Sequence, residues 1–306
     1  MVRSPDEMAR VGRRLSRILL VIGCGIFVLS APPGSPSRDV AASPADDGGA
    51  STLWNLDSLA LRREGDDSAL VGTGPWPERL MTNWSFGVGE TLTYSIGWEK
   101  IVAGHGEMIV GDIVDTLGRL CYPIASRVQS TSFVSTFYEV DDRITTLMDA
   151  RQLYPLEYDK NISEGRYKKH RHVGFDPERG IAIAGDDTLA MPPYVHDDLS
   201  LLYFIRTMDL TPGQDIEMDI YGGKKLYRLT VKIVRKERIK VKAGVFSTVV
   251  VEPLLQAAGL FQHEGRIRVW LTDDRLHLPV LMKSKVVVGS ITAELEDYRL
   301  GKIRRY

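Results

Sequence analysis

The chain has 306 residues, 43% of them hydrophobic and 26% charged, a composition that excludes a wholly disordered or collagen-like polymer. Lys and Arg together number 39 against 40 for Asp and Glu, so no global attraction for nucleic acid exists and none is expected as a partner. Two cysteines, Cys24 and Cys121, are too few for a disulfide framework or a cysteine zinc site. The fold has to stand on its core.

In chain order, Arg10, Arg13, Arg14 and Arg17 precede an apolar run over 18–29, which ends at Ser30, Ala31, Pro32 and Pro33. Basic, apolar, then small residues is the pattern of an export signal, assigned to 1–31. About a dozen helical residues span only roughly 18 Å against a hydrocarbon core of about 30 Å, which favours cleavage near Ser30 or Ala31 over a stable anchor. Two other fates stay open. The leader can remain uncleaved, or Val21-Ile22-Gly23-Cys24, which looks like a lipobox, can be lipidated at Cys24, although apolar residues continue past it. Each places the protein in the periplasm or on the periplasmic face of a membrane.

Residues 32–82 are rich in Pro, Gly, Ser and Asp, as in Asp46-Asp47-Gly48-Gly49. Such a stretch buries too little apolar surface to offset the entropy of ordering, so it reads as a flexible tether. Leu53-Trp54-Asn55-Leu56 interrupts it as a segment suited to docking.

The remainder, 83–306, is a β-rich domain. Leu92, Tyr94, Ile96 and Trp98 alternate with Thr91, Thr93, Ser95 and Gly97, which gives one apolar and one polar strand face. Similar short runs predict strands at 104–114, 121–130, 144–148, 156–162, 166–175, 181–184, 216–221, 226–234, 238–242, 246–252, 266–271, 280–288 and 291–298, separated by turn residues. One helix is predicted between the halves. Asp197 or Asp198 caps it, Leu199, Leu202, Tyr203 and Arg206 follow at helical spacing, and Pro212-Gly213 ends the segment. The expected fold is mainly β: an antiparallel curved sheet or incomplete β-barrel with one central helix covering its concave face or an end.

Gly89-Glu90-x-Leu92-x-Tyr94, Trp98, Ala103-Gly104, Asp197-x-Leu199-Ser200-x-Leu202-Tyr203-x-x-Arg206 and Thr211-Pro212-Gly213 occur in that order. Lys242-x-Gly244-x-Phe246, Val251-x-Pro253, Val269-Trp270-Leu271-Thr272-Asp273-Asp274, Leu278-Pro279 and Val288-Gly289-Ser290-Ile291 follow them. This series resembles the bacterial envelope proteins of the domain of unknown function 3108 family, from about 86 to 298. The resemblance implies an exported β-rich domain and transfers no catalytic residue. The architecture is also similar to that of bacterial lipoprotein carriers, a likeness that does not establish function.

No Gly-x-Ser-x-Gly elbow, His-Glu-x-x-His, phosphate loop or calcium loop is present in the sequence, so no catalytic residue and no cofactor is assigned. His170 and His172 share a strand face at metal-binding spacing, but a third ligand is not identifiable and Arg166, Lys168, Lys169 and Arg171 repel a cation. Those four cations form instead a candidate anion patch. Asp141-Asp142, Asp186-Asp187 and Asp273-Asp274 point to opposite faces if on strands, which suits turns and caps better than a glycosidase pair. Cys121 reads as a buried apolar thiol. The apolar stretch 253–261 reads as a loop that closes an end of the barrel or acts as a lid.

The expected function is non-catalytic. A lid would bring Leu255 and Phe261 over Tyr94, Ile96 and Trp98 to hold a lipid or other amphiphile, each buried methylene contributing about 0.8 kcal/mol. Docking to an envelope protein partner is the other form of that reading. The alternatives are a structural protein with a filled core and a cell-wall or lipid hydrolase. The carrier requires an unfilled apolar hollow, and the oligomeric state is left open.

Overall fold

The computed structural model describes residues 75–98, 101–116, 118–222, 225–257, 260–261, 267–285, 290–304 and 306. The export signal, Cys24, the tether up to residue 74 and the side chains of Leu255 and Phe261 lie outside the described residues.

Among the described residues sixteen strands form one antiparallel sheet that is not closed into a barrel. The first half contains β1 (Thr91–Trp98), β2 (Ile101–Val110), β3 (Val114–Thr116), β4 (Arg119–Ser130), β5 (Asp141–Asp149), β6 (Pro155–Glu164), β7 (Tyr167–Asp176), β8 (Ile181–Ala184) and β9 (Asp187–Ala190). The second contains β10 (Asp215–Gly222), β11 (Lys225–Val241), β12 (Gly244–Ala257), β13 (Leu260–Phe261), β14 (Ile267–Thr272), β15 (Pro279–Lys285) and β16 (Ser290–Arg299). Each half is a meander, and the halves are joined through β1 and β16, so β9 and β10 are the free edges. A short α1 (Ser132–Ser135) follows β4, and α2 (Asp198–Ile205) lies on the connection between the two edges. Among the described residues no helix is long and apolar enough to cross a membrane.

The mainly β fold with a central helix is as the sequence predicts. In β1, Leu92, Tyr94 and Ile96 are buried on one face, following the period of two. Three details differ. The runs at 226–234 and 238–242 are one strand, β11, whose register shifts between Ile233 and Arg235. The extra residue there, Val234, is exposed and has no cross-strand partner in the β11–β12 register, as in a bulge. Strand β9 is absent from the prediction because it opens on Asp187, read with Asp186 as a turn. The described residues of the stretch 253–261 are strand, not loop: β12 runs through Pro253 to Ala257, and β13 (Leu260–Phe261) pairs back onto it. Among the described residues β12 pairs β14 only between Thr248 and Val251, so no described ladder partner on that side requires the N–H that Pro253 lacks.

Helix α2 starts with a reciprocal cap. Asp197 accepts from the N–H groups of Leu199 and Ser200 at 2.8 and 2.9 Å, and Ser200 Oγ accepts from Asp197 N at 3.1 Å, which satisfies donors that a buried helix start cannot give to water. The predicted apolar stripe understates the helix: every residue from Asp198 to Ile205 is buried, the mark of a core helix. The segment before it patches the open side, where His196 bridges in parallel to Ile220 of β10 and the Phe175 and Tyr221 rings meet at 5.7 Å.

Candidate functional site

The concave interior is the first place to seek a ligand. Arg206, at the C-terminal end of α2, is 0% exposed at its side chain and makes a two-point contact with Glu90 at 2.7 and 2.8 Å. Its guanidinium also donates to the carbonyls of Ser85 and Leu276. Burial opposes its charge, but Glu90 outweighs that cost and the Arg206 pKa is raised. Above this clamp Tyr94 donates to Pro279 O at 2.8 Å, and the Phe86 and Tyr203 rings meet edge to face at 4.9 Å. At the other end of α2, burial lowers the His196 pKa to about 3 and raises that of Asp197 to about 6. Thr146 donates to Asp197, while Tyr158 and Lys160 donate to Asp198.

Of the residues expected to touch an amphiphile, Tyr94 and Ile96 therefore lie in this packed core at 2% and 0% exposure. Trp98 is half-buried against the core at the end of β1. The backbones of Leu255 and Phe261 belong to β12 and β13. Cys121 is buried, and burial pushes its pKa up to about 12, as expected of an unreactive thiol.

The strand registers define two rims. At one of them the hairpins β1–β2, β6–β7, β8–β9, β10–β11 and β15–β16 turn, together with the β4–β5 connection that holds α1. Here α1 stands as a wedge: Thr131 Oγ1 accepts from Val134 N, Ser130 and Ser135 hydroxyls are 2.7 Å apart, and Thr131 N donates to Ala103 O. Val134 is buried beneath it, whereas Phe133 is 70% exposed and Phe137 45%, their rings 5.8 Å apart. Ile101 and Val102, at the start of neighbouring β2, are also exposed.

The adjoining β6–β7 turn carries the cations. Gly165 N donates to Glu139 O at 2.7 Å and Tyr138 Oη to Glu164 O at 3.0 Å, which ties the turn to the residues following α1. Gly165 has φ of 55°, and a Cβ there would approach the Tyr138 ring to 2.8 Å, so glycine is required twice over. Arg166, Lys168 and Lys169 are exposed at this tip. Arg171 is two residues beyond Lys169, about 7 Å along the strand on the same face, and less exposed. His170 and His172 both face Asp159, at 2.7 and 3.6 Å. Among the described residues no group of three ligating side chains gathers.

The turn rests on a buried acid pair. Asp142 accepts from Ser163 N at 2.8 Å, while its other oxygen and Glu164 Oε1 have no separate partner. Burial, reinforced for Glu164 by Asp142, raises both pKa values. A proton held between the two carboxyls satisfies both oxygens.

The opposite rim holds a polar cleft of about 720 Å³ between Trp76, Arg119, Asp149, Tyr154, Glu178 and their neighbours. Residues 75–82 lie along it: Trp76 N donates to Pro177 O, Met81 N to Arg151 O, and the Arg79 guanidinium sits 3.9 Å from the Tyr194 ring centre. Arg119 bridges Asp149 at 3.6 Å and Glu178 at 2.7 Å. Sequence reading missed this cleft, since its residues come from three turns, the segment before β1 and Tyr306. It also missed Phe133 and Phe137, whose four-residue spacing in Ser132-Phe133-Val134-Ser135-Thr136-Phe137 was the available signal.

With this geometry in place, the family is identified. The model of the family described as "Protein of unknown function (DUF3108)" matches residues 93–296, and the chain belongs to that family. No curated protein matches the sequence. Among solved structures, a β-barrel-like protein of the domain of unknown function DUF1849 from Brucella abortus is similar over 71% of this chain and 100% of its own, with 11% identity and a TM-score of 0.51. A provisionally named lipoprotein from Parabacteroides distasonis matches with 10% identity over 72% of this chain and 100% of its own, at a TM-score of 0.34. A provisionally named exported protein with a YmcC-like fold from Bacteroides fragilis has 10% identity, 74% and 99% coverage and a TM-score of 0.31. At such identities the first match speaks for the β-barrel-like fold alone.

Proposed function

We propose that the protein is an exported, non-catalytic docking module of the cell envelope, whose working surface is its exterior. The observation that carries this reading is α2, buried along its entire length in the concave face where a carrier would hold its guest. The titratable groups around it serve the fold: Asp197 caps, Asp198 is held by Tyr158 and Lys160, and Arg206 is neutralised by Glu90. A hydrolase requires such groups to converge on an open cleft. The basic, apolar and small residues of 1–31 support export, and the composition of 32–74 supports a tether between the domain and its attachment.

Native mass spectrometry of protein purified gently from its own envelope tests this. The expected mass is that of the processed chain without a non-covalent adduct. A stoichiometric lipid, retained also by variants altered at the α1 rim, would restore the carrier reading. The same spectra under denaturing conditions locate the N-terminus, at Ser30, Ala31 or a lipidated Cys24.

A further inference from the structure

We propose that the rim formed by α1 and the β6–β7 turn is a docking surface for an anionic phospholipid bilayer, an inference that rests on the docking-module reading and names its partner. Two independent features meet here. The first is an exposed apolar group, Phe133, Phe137, Ile101 and Val102, presented by adjoining chain segments. Isolated surface apolar residues are ordinary, but a contiguous group at one end of a molecule marks a contact surface. Phe133 and Phe137 stand on a wedge whose base is fixed by the Thr131 cap and by buried Val134, so little ordering is required when they enter an interface.

The second is charge. Arg166, Lys168 and Lys169 lie at the tip tied to the wedge through Tyr138 and Gly165. One exposed carboxylate, Glu139, lies between wedge and tip; Asp141 is engaged by Arg127 at 3.0 Å. Lys168 donates to Ser163 Oγ at 3.0 Å, a contact that leaves its charge uncompensated. Aromatic side chains next to cations fit the interface of a membrane, where rings enter the headgroup boundary and ammonium and guanidinium groups meet phosphate. A protein partner would need no particular excess of positive charge around the rings; anionic lipid does. The Asp142–Glu164 pair beneath the turn holds one proton between its two carboxyls, so it opposes the cations with one buried negative charge rather than two.

The experiment is co-sedimentation of the full processed chain with vesicles of phosphatidylglycerol and phosphatidylethanolamine, and with vesicles of phosphatidylcholine. Binding to the anionic vesicles is expected, weakening as salt rises because exposed charges are screened beyond a distance of about 10 Å at 0.1 M. Phe133→Ser with Phe137→Ser, and separately Lys168→Glu with Lys169→Glu, should each lower the partition coefficient by roughly tenfold or more. Lys240→Glu, at the opposite rim, should leave it unchanged. All variants share one N-terminus, so attachment through a leader or lipid is common to them and cancels. Unchanged circular dichroism and melting temperature certify the fold.

Equal binding to both vesicle types, no binding to either, or binding indifferent to the rim substitutions would each overturn the proposal. Capture of a soluble envelope protein through Phe133 and Phe137 without vesicle binding would do so too, while leaving the docking-module reading intact. A retained internal lipid would instead remove that reading. As a position-specific readout, Phe133→Trp should gain fluorescence quenching by brominated acyl chains in anionic vesicles. Absence of that gain, with the fold intact, counts against insertion at this rim.

Discussion

The two rims of the sheet solve opposite problems. At the cleft rim the turns close on themselves: Asp149 accepts from Arg151 and Gln152 N–H groups at 2.8 Å each, and Asp274 accepts from Leu276 at 2.9 Å and His277 at 3.2 Å. Residues 75–82 cover them, and the backbones of Gly87 and Gly301 approach so closely that a Cβ at Gly301 would overlap Gly87 O. At the α1 rim, turns project exposed rings and cations into solvent. The turn N–H groups at the first are satisfied internally, as a buried end requires, whereas Trp76 Nε1, Tyr122 Oη and Tyr306 Oη are buried there with no hydrogen-bond partner among the described residues. At the second, stability is not what the exposed side chains supply, and this separates architecture from surface chemistry.

The largest expected effect tests the closed rim. Arg206 joins the end of α2 to the residues before β1 through Glu90 and Ser85, and to the β14–β15 turn through Leu276. Arg206→Ala leaves the buried Glu90 carboxyl without its partner, a cost of about 3–5 kcal/mol. Replacing both, as in Glu90→Leu with Arg206→Met, should recover much of that loss in chemical denaturation. If the double variant were no better than the single, the clamp would not act as a pair. A second, smaller test is Trp76→Ala. Its ring lies 5.0 Å from that of Tyr154 and 5.9 Å from that of Tyr194, and each aromatic pair contributes about 0.5–1.5 kcal/mol. A loss of roughly 1–2 kcal/mol, with faster proteolysis near Met81, is expected.

The closed rim was the harder one to read from sequence. The alternation of β1, the Asp197 cap and the turn residues revealed the fold, because each signal is local. Glu90 and Arg206 are 116 positions apart, and Trp76 and Pro177 about as far, so only the β1–β16 join and the crossover of α2 bring the clamp and the cleft together. The carrier expectation placed Tyr94 and Ile96 on an apolar inner face and read the face correctly. What fills that face, a helix buried all round, was concealed because its stripe of Leu199, Leu202 and Tyr203 suggested one-sided packing. The Lys and Arg of 166–171 were visible as a cluster.

The α1 rim can be probed through pH. Glu164 holds its proton in the folded chain well above the ordinary value of 4.5, first because it is buried and next because Asp142 adjoins it. The unfolded chain releases that proton near 4.5, so over the interval between the two values the native state binds more protons. Stability from this group is then full below about pH 4.5 and declines as pH rises through the raised native value. Glu164→Gln removes the titration. The variant should melt higher than the parent at pH 8, by roughly 1 kcal/mol, with the advantage vanishing near pH 4. A parallel shift at both pH values would show that the carboxyl pair does not share a proton.

The smallest effect is the one that defines the difference between the rims. Phe133 contributes to no buried cluster, and its neighbours Thr131, Val134 and Ser135 hold α1 without it. Phe133→Ser should therefore change unfolding free energy by less than about 0.5 kcal/mol, as for exposed positions generally, while Val134→Ala, which removes the buried foot of the same wedge, should cost about 1–2 kcal/mol. Equal losses in thermal denaturation would mean that Phe133 serves the fold, and the exposed aromatic pair would lose its claim to be a surface built for contact.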